Sequence, residues 1–223
     1  MDQKYKGIVI KLTDYKDADK LASIFTLEQG IITVKFTGVK KENAKFKAMA
    51  QPFVFADFVV NVKGANKTVI SANLIDGFSG ILSDYNKTLC AYIVLDMIKS
   101  LIPAEKKEEE LFLFSLTALK NIETSNEMIS TIKYILNFIA SSGMELNFPE
   151  SNYVNLDKMT GNFTTNSNQN TQQIDKKVYL TLKSINADEE VEVSQTTLKQ
   201  ILHLMHNIIY LKFNEDIRSF EFI

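Results

Sequence analysis

The feature that most constrains this chain is a change of hydrophobic period close to residue 80. Before it, apolar residues fall into five short runs, at 7–13, 21–26, 31–37, 53–62 and 69–75. They are rich in β-branched and aromatic residues and are separated by turn signals at Gly30, Gly38 and Gly64. Five such runs in one short stretch predict a small β-barrel or sandwich. Between the third and fourth runs lies Lys40-Lys41-Glu42-Asn43-Ala44-Lys45-Phe46-Lys47, the position at which an OB-fold carries a connecting helix or loop.

From residue 84 the period is helical. Leu89, Ile93, Met97 and Leu101 recur every four residues, with Tyr92 beside them, and Pro103 closes the helix. A second helix is predicted over 108–122, carrying Leu111, Phe112, Phe114, Leu116 and Leu119. Thr124 and Glu127 have the spacing of a capping box. They would open a third helix that aligns Ile132, Ile135, Leu136 and Ile139 and stops at Gly143. A last helix starts at Ser194 and aligns Leu198, Ile201, Leu202, Met205, Ile208 and Ile209. Residues 147–177 are polar and irregular, with a small hairpin expected across 153–164. The fold class expected is therefore α+β, with a barrel domain at 1–79 and a helical domain at 80–223 interrupted by that polar insert.

Charge divides at the same place. Residues 1–80 hold 12 lysines and 8 acids, a net of +4; the remainder holds 13 basic and 19 acidic residues, a net of −6. Two domains with different partners are implied. Arg218 is the only arginine. Lysine meets phosphate as a point charge and reads bases poorly, so DNA contact by this chain would be independent of sequence. No apolar run reaches the roughly 18 residues of a membrane span, and Met1-Asp2-Gln3-Lys4-Tyr5 lacks a secretory layout, so a cytoplasmic protein is expected. The single cysteine, Cys90, sits in an apolar helical stretch and reads as a buried small hydrophobe. One cysteine forms neither an internal disulfide nor a thiolate zinc cage.

The leading functional constellation is Lys35, Lys40, Lys41, Lys45 and Lys47, with Phe36 and Phe46 interleaved. Charge that tracks phosphates beside rings that stack on bases suits single-stranded nucleic acid. The alternative is a solvated lysine loop whose phenylalanines belong to the core. Asp14, Asp17 and Asp19 lie close enough to hold a divalent cation. They lack the glycine and closing glutamate of a calcium loop, and read better as a turn whose aspartates bond their own backbone. His203 and His206 share a helix face without further ligands. Glu105 to Glu110, with Lys106 and Lys107, reads as a solvated helix start. No GxGxxG, Walker A loop, GxSxG or HExxH is present.

The N-terminal text resembles the RecO family of recombinational-repair mediators. Gly7-Ile8-Val9-Ile10 is similar to the family's "GIVL". Tyr15, Asp17 and Asp19 resemble "YxExD" with Asp17 for the usual glutamate. Ile24-Phe25-Thr26 and Gly30 resemble "LFT" and its glycine. Gly38-Val39-Lys40-Lys41 is similar to "KGARK", Gln51-Pro52-Phe53 to "LQPF", and Ile217 to Phe222 to the closing "LKSxxFL". Ile75-Asp76-Gly77-Phe78 resembles the segment entering the helical domain. The resemblance implies an N-terminal OB-fold and an α-helical C-terminal domain. It implies binding of single- and double-stranded DNA, strand annealing, and help to RecR in loading RecA onto DNA coated by single-strand-binding protein. Many members carry a four-cysteine zinc module, but residues 147–173 here hold no cysteine, so no zinc and no other cofactor is expected.

The function expected is that of a non-enzymatic DNA-binding mediator, with Lys35, Lys40, Lys41, Lys45 and Lys47 as the DNA site. The acidic, phenylalanine-ended tail of single-strand-binding protein would want an apolar pocket beside a lysine, with Lys99, Lys120 and Lys133 as candidates. The alternative is a protein-interaction adaptor with little DNA affinity. A hydrolase or transferase with an unrecognised site is the third reading.

Overall fold

A computed structural model describes residues 1–223. Five strands, β1 (Asp2–Tyr15), β2 (Asp19–Thr26), β3 (Gly30–Phe36), β4 (Phe55–Lys63) and β5 (Asn66–Asp76), close into a barrel ordered β1-β2-β3-β5-β4. This is the OB-fold barrel expected. All neighbours are antiparallel except β3 and β5, which meet in parallel at Lys35 and Thr68 alone. The connection 37–54 is a series of turns without a helix. Phe53 and Val54 stand outside β4, contrary to the pattern: Phe53 has φ 71° and its N–H donates to Val9 O, a geometry that ends strand pairing there.

The barrel is apolar inside and, along part of its wall, outside. Val9, Ile24, Val34, Phe36, Phe58 and Val60 fill the interior. Ile8, Ile10, Phe25, Phe53 and Phe55 point the other way and join the core of the helical half. Both faces of the wall are buried at Ile8-Val9-Ile10, which is why alternation fails there.

Beyond β5 come a short helix α1 (Ser79–Leu82), then α2 (Tyr85–Leu101), α3 (Glu109–Thr124) and α4 (Glu127–Ser141). Helix α4 packs against α2, α3 and the last helix, and its burial runs nearly all round. Its cap differs from the expected box. The Thr124 hydroxyl donates to Lys120 O within α3, and Asn126 Oδ1 accepts from the Ile129 N–H at 2.9 Å as the N-cap. Asn126 directly precedes the first helical residue, which is where a cap must stand.

The polar insert folds into a three-stranded sheet, β7-β6-β8, from β6 (Asn155–Asp157), β7 (Phe163–Thr164) and β8 (Thr171–Gln173). Helix α5 (Lys176–Asn186), which the pattern did not announce, and α6 (Gln195–Phe213) follow. Phe148, Phe163 and Tyr179 pack as a cluster, with ring centroids 5.2 to 6.0 Å apart, and join the sheet to α5. The chain closes in a 3₁₀ turn at Arg218–Phe222, where buried Phe220 stacks on His206 at 4.6 Å and Ser219 bonds Asp96. His206 is also bonded to Asp216 at 2.9 Å, whereas His203 is exposed. The Cys90 thiol is buried, and burial pushes it up to about 12.

The connector between α2 and α3 lies on the seam between β3 and β5. Ala104 bridges Ile31, the Glu105 N–H donates to Ile31 O at 3.0 Å, and Glu105 pairs with Lys67. Gly30 makes this approach possible: it has φ 71°, and a Cβ there would stand 1.9 Å from Lys106 O.

Candidate nucleic-acid interface

Register places the basic side chains. Lys11, Ser23 and Thr33 form one cross-strand row on β1, β2 and β3, and Thr13, Leu21 and Lys35 form the next. Leu12, Ala22 and Val34 lie between them and turn inward, so these rows make the barrel's outer face. In an OB-fold this β2–β3 face, with the turns joining β1 to β2 and β4 to β5, is where oligonucleotides bind.

Two grooves carry the charge. Tyr15, Leu21, Thr33, Lys35, Asn66 and Lys67 line the first. Asp14, Lys20, Lys40, Lys47 and Gln51 line the second. The five expected lysines are therefore split: Lys35 stands in one groove, Lys40 and Lys47 in the other. Lys41 is exposed on the turn that follows β3. Lys45 is exposed, with its ammonium 5.0 Å from the Phe46 ring centroid.

The aromatic half of the expectation changes. Phe36 is fully buried and meets Phe58 and Phe46 edge-on, so it is core and unavailable for stacking. Phe46 is half-buried against the same interior. Lys20 and Tyr15 were absent from the expected set. The hairpin pairing of Asp14 with Lys20 is the signal for the first, because it aims Lys20 toward the barrel end where Lys40 stands.

Two of the aspartates flanking the β1–β2 turn, Asp14 and Asp19, bond elsewhere than to their own backbone. Asp19 Oδ1 accepts from the Gly38 N–H at 2.7 Å. Asp14 pairs with Lys40 at 2.9 Å, and the Lys40 ammonium holds the Asp14 carboxyl below the usual carboxylate range. The turn thus locks the segment after β3 and offsets part of the second groove's charge.

Lys99, Lys120 and Lys133 stand on three different helices, α2, α3 and α4; Lys133 is paired with Asp188. Most of the apolar surplus in the helical half goes inward: Leu111, Phe112, Ile208 and Ile209 are buried, while Leu113 and Tyr210 are exposed. The residues at 147–173 do not fit a zinc module. The segment offers no thiol or imidazole, and no cluster of three or more histidine, cysteine or acidic groups occurs in the chain. No helix is long and apolar enough to cross a membrane.

Comparison with known proteins agrees with this architecture. Residues 1–78 match the family model described as Recombination protein O N terminal, and residues 82–218 match Recombination protein O C terminal. A protein of Bacillus subtilis named DNA repair protein RecO is 29% identical over 150 residues, covering 67% of this chain and 58% of the relative. One of the same name from Shouchella clausii is 29% identical over 127 residues, 57% of this chain and 50% of the relative. Another from Clostridium novyi is 28% identical over 148 residues, 65% and 57% respectively. The matched stretch spans between half and three-fifths of these curated relatives. With both halves matched in order and a barrel followed by helices, the chain belongs to the RecO family.

Proposed function

We propose that this chain is a DNA-binding recombination mediator in repair. It binds single- and double-stranded DNA on the barrel, anneals complementary strands, and helps RecR load RecA onto single-stranded DNA coated by single-strand-binding protein. The observation that carries this reading is the pair of lysine-lined grooves on the outer face of an OB-fold barrel whose other wall is packed against helices. Lys35, Lys40, Lys41, Lys45 and Lys47, joined by Lys20, contact phosphates, and no step of the reading needs a catalytic group or a metal. The relatives' name, DNA repair protein RecO, supports it. Lys99, Lys120 and Lys133 remain the candidate contacts for the acidic tail of single-strand-binding protein, and the cytoplasm is the compartment in which such a protein meets DNA.

One observation favours the adaptor reading: Lys40 and Lys67 are already paired with carboxylates, which lowers the charge left for DNA. Titration of the full chain against labelled single strands, followed by mixing of complementary labelled oligonucleotides, separates the two. The mediator reading expects binding that weakens steeply with salt and pairing faster than the spontaneous rate. Absence of both at low salt, with RecR binding retained, would establish the adaptor.

A further inference from the structure

The two basic grooves are separated by one residue step. Asp14 lines the groove of Lys20, Lys40 and Lys47, and its neighbour Tyr15 lines the groove of Lys35. Tyr15 ends β1, paired with Asp19 across the hairpin. Its side chain is the exposed aromatic of the barrel, at 39%; Tyr5, Phe25, Phe36, Phe53, Phe55 and Phe58 are all buried, and Phe46 is packed edge-on against Phe36. The Lys16 ammonium stands 5.4 Å from the centroid of the Tyr15 ring.

We propose that Tyr15 is a base-stacking platform at which a single strand crosses from the Lys35 groove to the groove of Lys20, Lys40 and Lys47. A strand that follows both grooves must pass the end of β1, and the ring there gives a base an apolar face once it leaves water. The Lys16 ammonium lies over one face of the ring, so the base takes the opposite face and Lys16 meets the phosphate of that nucleotide. An exposed ring set between lysines is the combination used for single-stranded nucleic acid, because every base has a face to stack and every nucleotide a phosphate. In a duplex the bases are already stacked on each other, so Tyr15 distinguishes single strands from double strands. This inference rests on the barrel being the DNA site.

The experiment uses the full chain and a labelled oligothymidine. Tyr15→Ala weakens single-strand binding by about 5- to 150-fold, the range of base–aromatic stacking. Its salt slope equals that of the unaltered protein, because no charge is removed. Duplex affinity stays within about twofold, and Tyr15→Phe restores single-strand binding, since stacking does not need the hydroxyl. The chain contains no tryptophan, so Tyr15→Trp is a single reporter, and its fluorescence is quenched as the oligonucleotide saturates. A thermal melt of Tyr15→Ala matching that of the unaltered chain shows that the fold is kept, as an exposed strand end allows. Single-strand affinity unchanged in Tyr15→Ala, equal losses on single strands and duplex, or a Tyr15→Trp signal indifferent to DNA each overturn the proposal while leaving the DNA site standing. If the unaltered chain binds neither single strands nor duplex, both the platform and the DNA reading fall.

Discussion

Replacing Phe163 with alanine tests what holds the insert together where the family resemblance implies zinc. Phe163 is 2% exposed, and its ring meets Phe148 at 5.4 Å and Tyr179 at 5.2 Å. Phenylalanine to alanine at a site so enclosed costs about 3–5 kcal/mol, because the sheet anchored by its own backbone cannot close the cavity fully. Of that, about 0.5–1.5 kcal/mol belongs to each aromatic pair. Phe163→Leu keeps most of the volume and gives up the two pairs, so it should cost about 1–3 kcal/mol. Equilibrium urea unfolding followed by circular dichroism is the assay. With a slope of about 3 kcal/mol/M, the alanine midpoint falls by about 1–1.7 M and the leucine midpoint by about 0.3–1 M. A chelator added to the unaltered chain leaves its midpoint in place. An alanine shift below about 0.3 M, or a chelator effect as large as the mutation, would refute the view that aromatic packing organises this segment.

Three further outcomes follow from the fold. Gly30→Ala brings a Cβ against Lys106 O in a left-handed backbone, so the α2–α3 connector must lift and release the Glu105–Lys67 pair; unfolding experiments should show a loss of about 3 kcal/mol or more, and a loss under 1 kcal/mol contradicts the seam. Cys90, raised to about 12 and buried, is almost wholly thiol at pH 8; iodoacetamide should label it only after denaturant is added, and rapid labelling of the native chain refutes its placement. Severing the chain between residues 79 and 80 exposes the outer barrel wall of Ile8, Ile10, Phe25 and Phe55, so each half alone should melt well below the intact chain; a helical half as stable as the whole would refute the shared core.

The barrel was legible because β-branched runs broken by glycines leave few alternatives, and apolar residues three and four apart marked α2, α3, α4 and α6. What escaped has local physical causes. Helix α5 begins at Lys176 inside a polar stretch, and its buried face is only Val178, Tyr179, Leu182 and Ile185, too short to stand out. Strand β1 starts at Asp2 because Lys4 and Lys6 turn outward while Tyr5 turns in, an alternation with too few apolar members to see. The lysine set named a region rather than a surface. Only the register of β1, β2 and β3 separates Lys35 from Lys40 and Lys47. Only burial removes Phe36 from the stacking candidates and leaves Tyr15. The pairing of Asp14 with Lys40 joins the end of β1 to the turn after β3, and no spacing rule reaches that far.

The central claim is that DNA binds the barrel through its lysines. It is tested most directly by the salt dependence of single-strand affinity in the full chain and in Lys40→Gln/Lys41→Gln. Each phosphate contact contributes about −0.7 to the slope of log K against log salt. Contacts by Lys20, Lys35, Lys40, Lys41, Lys45 and Lys47 therefore predict a slope of about −4.2, flattened by about 1.4 in the double variant, with binding weakened alike for all sequences. Because Lys40 must first leave Asp14, the flattening should lie nearer one unit. Charge reversal at Lys176 and Lys177, at the start of α5, should change the slope less. If that reversal abolishes binding while the Lys40 and Lys41 ammonium groups are lost without effect, the barrel is not where this protein holds DNA.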